Sequence, residues 1–215
     1  MIKKYDDKKR GRRGKKTALK CFESTIISGK SKGKKILVPN IRTTRSSKAI
    51  LRESFFNTIQ FDIIDKNFVE VFAGSGSVGL EALSRGANIA FFIEQNRAVF
   101  DILTTNITNL KYDNAVAIYG NSFTELSAIL KEISRSGEKA YFYFDPPFSI
   151  REGMEDIYTK TIELIGSIDS KFCEMIAIEH ISNIKMPELI GDFSLNKSRK
   201  FGRSSLSYYT IKTQQ

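Results

Sequence analysis

The most specific chemical signal in the sequence is Asp145-Pro146-Pro147-Phe148, which follows the apolar run Tyr141-Phe142-Tyr143-Phe144. Two consecutive prolines donate no backbone hydrogen bonds, so a strand has to end there and nearby carbonyl groups stay open. These groups suit a planar amino group on an aromatic ring. The Asp145 carboxylate and the Pro146 carbonyl would accept its two N–H bonds, and Phe148 would stack on the ring.

Taken alone, the four residues have a second explanation, a buried strand followed by a surface turn that its prolines stiffen. If the four residues do hold an amino group, the chain must also bind an electrophile. Holding both amino hydrogens points the nitrogen lone pair at an electrophile, so the rest of the sequence has to provide a place for one.

A glycine-rich turn is the candidate place. A predicted strand at 68–72 runs into Ala73-Gly74-Ser75-Gly76, where glycines permit a sharp turn and a close backbone approach to a ligand. The next predicted strand ends at Glu94, placed to accept the two hydroxyls of a ribose, and Asn121 could bind an adenine edge. The predicted cofactor-binding residues are Glu70, Phe72, Ala73, Gly74, Ser75, Gly76, Glu94, Gln95, Asn121 and Ser122.

Two cofactors fit the glycine pattern. Gly74, Gly76 and Gly79 satisfy the dinucleotide fingerprint, and Glu94 follows at about the spacing of a ribose-binding acid. Glu70, however, lies inside the strand, where its charge could meet an ammonium or sulfonium group but offers nothing to a pyrophosphate. Hydride transfer also has no use for Asp-Pro-Pro-Phe. The residues therefore favour S-adenosylmethionine over NAD.

The elements that would position these residues alternate from Phe68 onward. Strands are predicted at 68–72, 89–94, 115–119, 140–144 and 175–179, and helices at about 78–85, 97–110, 124–134 and 153–165. This order predicts an α/β, Rossmann-like, mostly parallel sheet with helices on both faces. A terminal hairpin at 193–200 and 206–211 would add antiparallel strands to one edge.

The segment before the sheet reads as a basic β-hairpin, with strands at 25–28 and 35–38, followed by a helix. Ser46 or Ser47 would cap that helix, which runs to about Ile59. Its predicted buried face consists of Leu51, Phe55, Phe56 and Ile59.

The net charge of +10 is concentrated at the amino terminus. Residues 1–35 contain 14 Lys or Arg and 3 acids, a net charge of +11, which leaves about −1 for the remainder. Residues 8–16 include no apolar side chain, so we expect them to be disordered when free. Such a segment either seeks RNA or DNA phosphates or merely keeps the terminus soluble. The predicted RNA-binding residues are Lys30, Lys32, Lys34, Lys35, Arg45 and Arg52.

Other sites are not expected. Cys21 and Cys173 are far apart, there is no C-x-x-C, and His180 is the single histidine, so we expect neither a zinc site nor a disulfide framework. His180 is expected to be structural. No run approaches the about 20 apolar residues of a membrane span, and the tail lacks the apolar core of a secretory signal. We expect a cytoplasmic monomer without metal.

At this point the sequence resembles a known family, the bacterial 16S rRNA (guanine-N2)-methyltransferases of the RsmD type, within the class I S-adenosylmethionine-dependent methyltransferases. The resemblance covers about residues 24–212. Its segments are Ile26-Ile27-Ser28-Gly29-Lys30, Gly33-Lys34-Lys35-Ile36-Leu37-Val38-Pro39, Arg52-Glu53-Ser54-Phe55-Phe56-Asn57, Phe72-Ala73-Gly74-Ser75-Gly76-Ser77-Val78-Gly79-Leu80-Glu81-Ala82-Leu83-Ser84-Arg85-Gly86 and Asp145-Pro146-Pro147-Phe148.

The resemblance implies that different segments of the chain bind the methyl donor, the guanine and the surrounding RNA. It places the methyl donor on the cofactor residues named above, and a guanine, conventionally numbered 966 in 16S rRNA, on Asp145 to Phe148. We expect a basic tail over 1–22, an RNA-facing hairpin and helix over 23–60, and a methyltransferase domain over 61–215. The chain departs from the family at Arg45-Ser46-Ser47, where Arg-Pro-Thr is usual, and at Ile50, where a basic residue is usual.

The expected reaction is direct methyl transfer to the amino nitrogen, with the proton leaving to Asp145 or to water. Three alternatives stay open. A DNA adenine-N6 methyltransferase would use the same four residues but usually carries a separate target-recognition region. A protein-glutamine methyltransferase would have little use for the basic tail. A non-catalytic RNA-binding protein on the same scaffold would not need to keep Glu70, the glycines, Glu94 and Asp145.

Overall fold

The structure, a computed structural model, describes residues 19–40, 45–147 and 156–212, with the side chains of 45–47 excepted. Five parallel strands form its centre: β3 (Asn67–Glu70), β4 (Ile89–Glu94), β5 (Ala115–Tyr119), β6 (Ala140–Phe144) and β7 (Cys173–Ile181). Three antiparallel strands extend one edge: β8 (Leu189–Ile190), β9 (Phe193–Phe201) and β10 (Ser204–Ile211). The order across the sheet is β5-β4-β3-β6-β7-β10-β9-β8.

Helices cover both faces of this sheet. The connecting helices are α2 (Ser77–Ser84), α3 (Arg97–Leu110), α4 (Ser122–Ser136) and α5 (Ile157–Gly166), and a short 3-10 turn covers Ser170–Phe172. Alternation along β6 divides its side chains between two cores. Tyr141 and Tyr143 pack with α2 and α3, whereas Phe142 and Phe144 pack on the opposite face with α4 and α5. A strand buried on both faces explains the uninterrupted apolar run before Asp145.

The amino-terminal hairpin pairs β1 (Cys21–Thr25) with β2 (Lys35–Pro39), and helix α1 (Arg45–Thr58) follows. The hairpin is confirmed, but the predicted position of its first strand, 25–28, is wrong. The backbone N–H groups of Ile27 and Ser28 donate to the buried carboxylate of Glu81, at 2.7 and 3.0 Å, instead of joining a strand ladder. Ile26 is buried in the core beneath α1.

The other predicted elements are confirmed within the described residues, with shifted ends. Helix α1 begins at Arg45, so Ser46 and Ser47, the predicted capping residues, lie inside it. Strand β3 ends at Glu70, two residues before its predicted end, because the chain turns there toward the glycines. Helix α4 begins at Ser122 because Asn121 caps it, and β7 is longer than predicted. The short strand β8 is not anticipated by the sequence pattern. The predicted start of α5 at 153 lies outside the described residues.

Candidate active site

The glycine turn between β3 and α2 has the backbone that its sequence predicts. Gly74 and Gly76 have φ of +54° and +78°, a region that L side chains rarely adopt. A Cβ on Gly76 would lie 2.4 Å from the Leu103 side chain, so the turn packs directly against α3. A Cβ on Gly74 would meet nothing within 4 Å, which leaves open space above the turn for a ligand.

Glu70 supports this turn from below. Its buried carboxylate accepts hydrogen bonds from the backbone N–H groups of Val78 and Gly79, at 3.2 and 2.8 Å. Glu70 therefore caps the first turn of α2. The residue at the N-cap position, Gly76, has no side chain that could do so. Burial raises the pKa of Glu70 to about 8, and the two backbone hydrogen bonds oppose that rise. The sequence pattern anticipated a charge beneath the ligand but not this capping role.

Glu94 joins the end of β4 to the glycine turn. Its carboxylate accepts from the N–H of Gly74 at 2.9 Å and from the N–H of Asn96 at 2.6 Å. Burial raises the pKa of Glu94, and these backbone hydrogen bonds lower it. A carboxylate has about four lone-pair positions, so Glu94 can still accept from ribose hydroxyls. Gln95 lies next to it and is exposed.

The carboxyl end of β5 brings Asn121 and Ser122 to the same edge. Asn121 uses its side-chain oxygen to cap α4, accepting from Phe123 N at 3.0 Å, so its amide nitrogen is the group that could donate to a base edge. The Ser122 hydroxyl is buried and donates to the carbonyl of Val71, which fixes the start of α4 against the end of β3.

Backbone contacts hold the remaining predicted cofactor residues in place. Ala73 donates to the carbonyl of Ile93 at 2.9 Å, and the carbonyl of the buried Ser75 accepts from the Asn106 side chain at 3.0 Å. The Phe72 ring packs between Phe123 and Phe144, with ring centroids 5.7 and 6.4 Å away. The glycine turn is thus tied to both neighbouring strands.

Asp145 follows β6, the strand next to β3, and so lies at the edge that carries the glycine turn. Asp145 and Pro147 are partly exposed, whereas Pro146 is buried. The ring contact between Phe72 and Phe144 places the end of β6 beside the residues that enter the turn. Phe148, the predicted stacking residue, lies outside the described residues.

Two charged residues that the sequence pattern did not single out meet at Asp145. The Lys48 ammonium, from the first turns of α1, hydrogen-bonds Oδ2 of Asp145 and lies 2.9 Å from Oε1 of Glu179 on β7. The Glu179 side chain is only 1% exposed, and the Tyr143 hydroxyl lies 3.5 Å from its other oxygen. Burial and the nearby Asp145 raise the pKa of Glu179 to about 7, while Lys48 lowers it.

The sequence does contain a signal for both residues. Lys48 precedes Leu51 by three positions and Phe55 by seven, so it shares the helix face that was predicted to be buried. Glu179 is an acid that directly follows the apolar run Ile176-Ala177-Ile178. A charge in each of these two apolar patterns is the expected mark of a buried ion pair.

The predicted RNA-binding lysines of the hairpin loop lie toward the amino ends of the parallel strands, opposite the strand ends that carry the glycine turn and Asp145. Lys30 N donates to the carbonyl of Ser84 at 2.8 Å, and Ser84 ends α2, the helix that begins at the glycine turn. The Lys30 ammonium lies 4.7 Å from the centre of the Tyr112 ring. Lys32 and Lys34 belong to the same loop, and Lys35 pairs with Glu23 at 2.5 Å. The loop and Asp145 therefore occupy opposite ends of α2.

Arg52 does not have the exposed position that was expected of a phosphate contact. Its residue is 4% exposed, and its guanidinium donates to the carbonyl of Thr25 at 2.7 Å and of Ser77 at 3.4 Å. These bonds attach β1 and α1 to the start of α2, so Arg52 has a structural role here. The side chain of Arg45 lies outside the described residues.

The open end of the hairpin, in contrast, extends toward the catalytic edge. Leu37 exchanges two 2.8 Å hydrogen bonds with the Asn106 side chain, which also reaches Ser75 in the glycine turn. Beyond that level, Asn40 N donates to the carbonyl of Lys20 at 2.7 Å. This bond closes the end of the hairpin opposite its loop.

The remaining polar residues have ordinary structural roles. Both cysteines are free thiols, and His180 is buried with its ring nitrogens 2.8 Å from Ser207 Oγ and 3.0 Å from the carbonyl of Ile181. Within the described ranges, no group of three or more His, Cys, Asp or Glu side chains could hold a metal ion. No helix in that part of the chain is long and apolar enough to cross a membrane.

The sheet order, the glycine turn and the acidic strand end define a class I methyltransferase fold. The Escherichia coli methyltransferase candidate yhhF has the same fold with a TM-score of 0.69 and 29% identity, over 90% of this chain and 100% of that one. The M. jannaschii tRNA m1G37 methyltransferase aligns with a TM-score of 0.55 and 11% identity, over 94% of this chain and 59% of that one.

The family follows from the sequence comparisons. The profile of a family described as Conserved hypothetical protein 95 matches residues 24–210, so the chain belongs to this family. Ribosomal RNA small subunit methyltransferase D of Escherichia coli strain K12 is 30% identical over 189 residues, which is 88% of this chain and 90% of that protein. The resemblance to the RsmD type is thereby confirmed.

Proposed function

We propose that this protein transfers a methyl group from S-adenosylmethionine to the exocyclic N2 amino group of a guanine in small-subunit ribosomal RNA. The curated relatives point to ribosomal RNA, and by family resemblance the base is the guanine numbered 966. The observation that carries the proposal is the Asp145 carboxylate, which lies beside the glycine turn and already binds a nitrogen donor, the Lys48 ammonium.

The residues at the carboxyl edge fit the methyl donor. Glu94 would accept from its ribose hydroxyls, Asn121 would donate to its base, and the open space over Gly74 would admit the remainder. Bound there, S-adenosylmethionine would supply a methyl group that is already an activated electrophile. The protein then has to orient the acceptor and exclude water, because most of the gain comes from positioning.

Asp145 is the residue that would orient the acceptor. Its carboxylate accepts one amino hydrogen, the Pro146 carbonyl accepts the other, and the nitrogen lone pair is left directed at the methyl group. As the new bond forms, the nitrogen becomes cationic. The negative charge of Asp145 stabilises that developing charge more than the neutral ground state, which is how it would lower the barrier.

The target guanine would have to leave its stack to reach Asp145, so a single-stranded loop or a flipped nucleotide is the expected substrate. The predicted tail, residues 1–22, ends too late, because Cys21 and Phe22 belong to β1. We propose that the basic residues before this strand contact the surrounding phosphates. The hairpin and helix at 23–60 would form one wall of the RNA site and residues 61–215 the catalytic domain. Lys30, Lys32 and Lys34 could reach only RNA that extends past the hairpin.

One experiment tests the reaction and the substrate together. The protein is incubated with methyl-labelled S-adenosylmethionine and, separately, with naked small-subunit rRNA, assembled subunits and duplex DNA, and the modified base is mapped. We expect N2-methylguanine in rRNA or in the subunit. Methyladenine in DNA would instead establish a DNA adenine-N6 methyltransferase. Binding of rRNA without methyl transfer would refute the enzymatic proposal.

A further inference from the structure

We propose that Lys48 is a positioning residue that offsets the charge of two neighbouring carboxylates, Asp145 and Glu179, so that Asp145 can accept the amino group of the substrate. This inference rests on the proposed function for its catalytic consequence. Its structural part concerns only three side chains, and nothing in the family resemblance assigns a role to Lys48 or Glu179.

Strand register brings the two carboxylates together. β6 and β7 are parallel neighbours in which Phe144 pairs with Ile178, so the next residues on each strand are Asp145 and Glu179. Asp145 is partly exposed at the strand end, with 30% of its side chain accessible, whereas Glu179 is buried. The Lys48 ammonium lies against both and bridges them.

Two carboxylates this close do not both stay ionised without a compensating cation, because each raises the cost of charging the other. Burial of Glu179 increases that cost. Burial alone would lower the pKa of Lys48, but the two carboxylates outweigh it and raise that pKa above its usual value. The lysine is therefore charged at every pH at which the enzyme would work.

The other titratable groups around the pair do not replace the lysine. Tyr143 of β6 is buried and its pKa is well above the usual value, and burial raises the pKa of Tyr158 on α5 to about 12, so both are neutral near pH 7. Glu70 of β3 adds a further acid on the side of Asp145. Lys48 is thus the cation that offsets the pair in the described part of the chain.

The arrangement also leaves room for the substrate. Lys48 takes Oδ2 of Asp145, and an incoming amino group would take Oδ1. One third of the Lys48 side chain is exposed, and Glu179 gives the ammonium a second partner if its bond to Asp145 lengthens. The lysine can therefore keep its compensating charge in place while Asp145 turns to the substrate.

The test compares Lys48→Met, Glu179→Gln and the double variant with the wild type in methyl transfer to rRNA between pH 6 and 9. We expect Lys48→Met to reduce the rate at pH 7 about tenfold or more, and to move the acid limb of the profile up by about one pH unit or more. Adding Glu179→Gln should restore most of the lost rate at pH 7, since a single carboxylate has no neighbour with which to share a proton. Lys48→Arg should stay close to wild type.

A lysine that only helps to pack α1 against the sheet would behave differently. Its replacement would lower the rate equally at every pH, and Glu179→Gln would rescue nothing; either result overturns the proposal. The affinity for S-adenosylmethionine, measured by calorimetry, should stay unchanged in all variants.

A second measurement needs no RNA and so separates this proposal from the proposed function. Without the lysine, Glu179 must lose its proton beside Asp145 with no cation, and a raised folded-state pKa means that stability is lost as the pH increases through it. Urea unfolding of Lys48→Met should therefore show a deficit against wild type that grows from pH 6 to pH 9 and disappears in the double variant. A deficit that is constant with pH overturns the proposal even if no RNA is methylated.

Discussion

The two halves of the active-site edge are held by different kinds of bond. On the half proposed to bind the cofactor, Glu70 and Glu94 accept from backbone N–H groups of the glycine turn and its flanks. On the acceptor half, Asp145 is bound by the side chain of Lys48, which is partly exposed. Backbone bonds hold the first half, whereas the second is held by a side-chain contact that, under the proposed function, a substrate amino group would replace.

The largest effect is expected from a substitution that changes only the acceptor half, Asp145→Asn. Asp145→Asn removes the negative charge that stabilises the developing cation, so methyl transfer should fall by about 10²–10³-fold or more. The affinity for S-adenosylmethionine should change little, because the hydrogen bonds that Glu70 and Glu94 make in the described part of the chain do not involve Asp145. A filter assay with tritiated donor and calorimetric titration measure the two quantities.

Asp113→Asn is the matched control, since Asp113 is exposed in the loop before β5, at the opposite edge of the sheet. It should leave both quantities unchanged. Full transfer activity in Asp145→Asn would contradict the assignment of this carboxylate.

The next largest effect is expected from a substitution in the half proposed to bind the cofactor. Glu94→Ala removes the acceptor of Gly74 N and Asn96 N together with the predicted ribose contact. Hydrogen bonds to a charged group contribute about 1.5–3 kcal/mol, so the dissociation constant for S-adenosylmethionine should rise about 10–100-fold. At saturating donor the rate should recover most of its wild-type value, which Asp145→Asn cannot do.

Glu138→Ala, at an exposed site after α4, serves as the control for this measurement. An unchanged dissociation constant in Glu94→Ala would remove Glu94 from the cofactor site.

The smallest effect compares the two ends of the hairpin. Deletion of residues 1–18 removes nine Lys or Arg from the chain before β1. The salt dependence of RNA binding should then flatten by about 0.7 in log–log slope for each phosphate that the tail neutralises in the wild type. Replacing Lys32 and Lys34 by Gln at the far end of the hairpin should have a much smaller effect on the same slope. If the loop variant weakens binding more than the deletion, the RNA lies along the other edge.

The sequence was most reliable where a local rule determines the structure. Glycines with positive φ, the alternation of strands with helices, and the strand end at Asp145-Pro146 depend on near neighbours, and all were predicted correctly. The first strand of the hairpin was misplaced because Ile27 and Ser28 bond to Glu81, which is more than 50 residues away. No local pattern contains that interaction.

The positions of charged residues also depend on long-range contacts that the sequence pattern does not contain. Arg52 was predicted to contact RNA from the side of the first helix, yet it is buried against Thr25 and Ser77, contacts that only the packing of β1 on α1 and α2 creates. Lys48 was overlooked for the same reason. Its partners, Asp145 and Glu179, come from strands about 100 and 130 residues further along the chain, and only the parallel pairing of β6 with β7 brings them together.

By itself, the sequence determined the reaction class: a carboxylate after a buried strand and before two prolines, a glycine turn and an acid at the end of the next strand are local arrangements of residue types. The tertiary structure decided which charges act together. It placed the hairpin loop beside the carboxyl end of α2 and a lysine between two carboxylates, because long-range strand order and helix packing, not residue spacing, set the distances between charges.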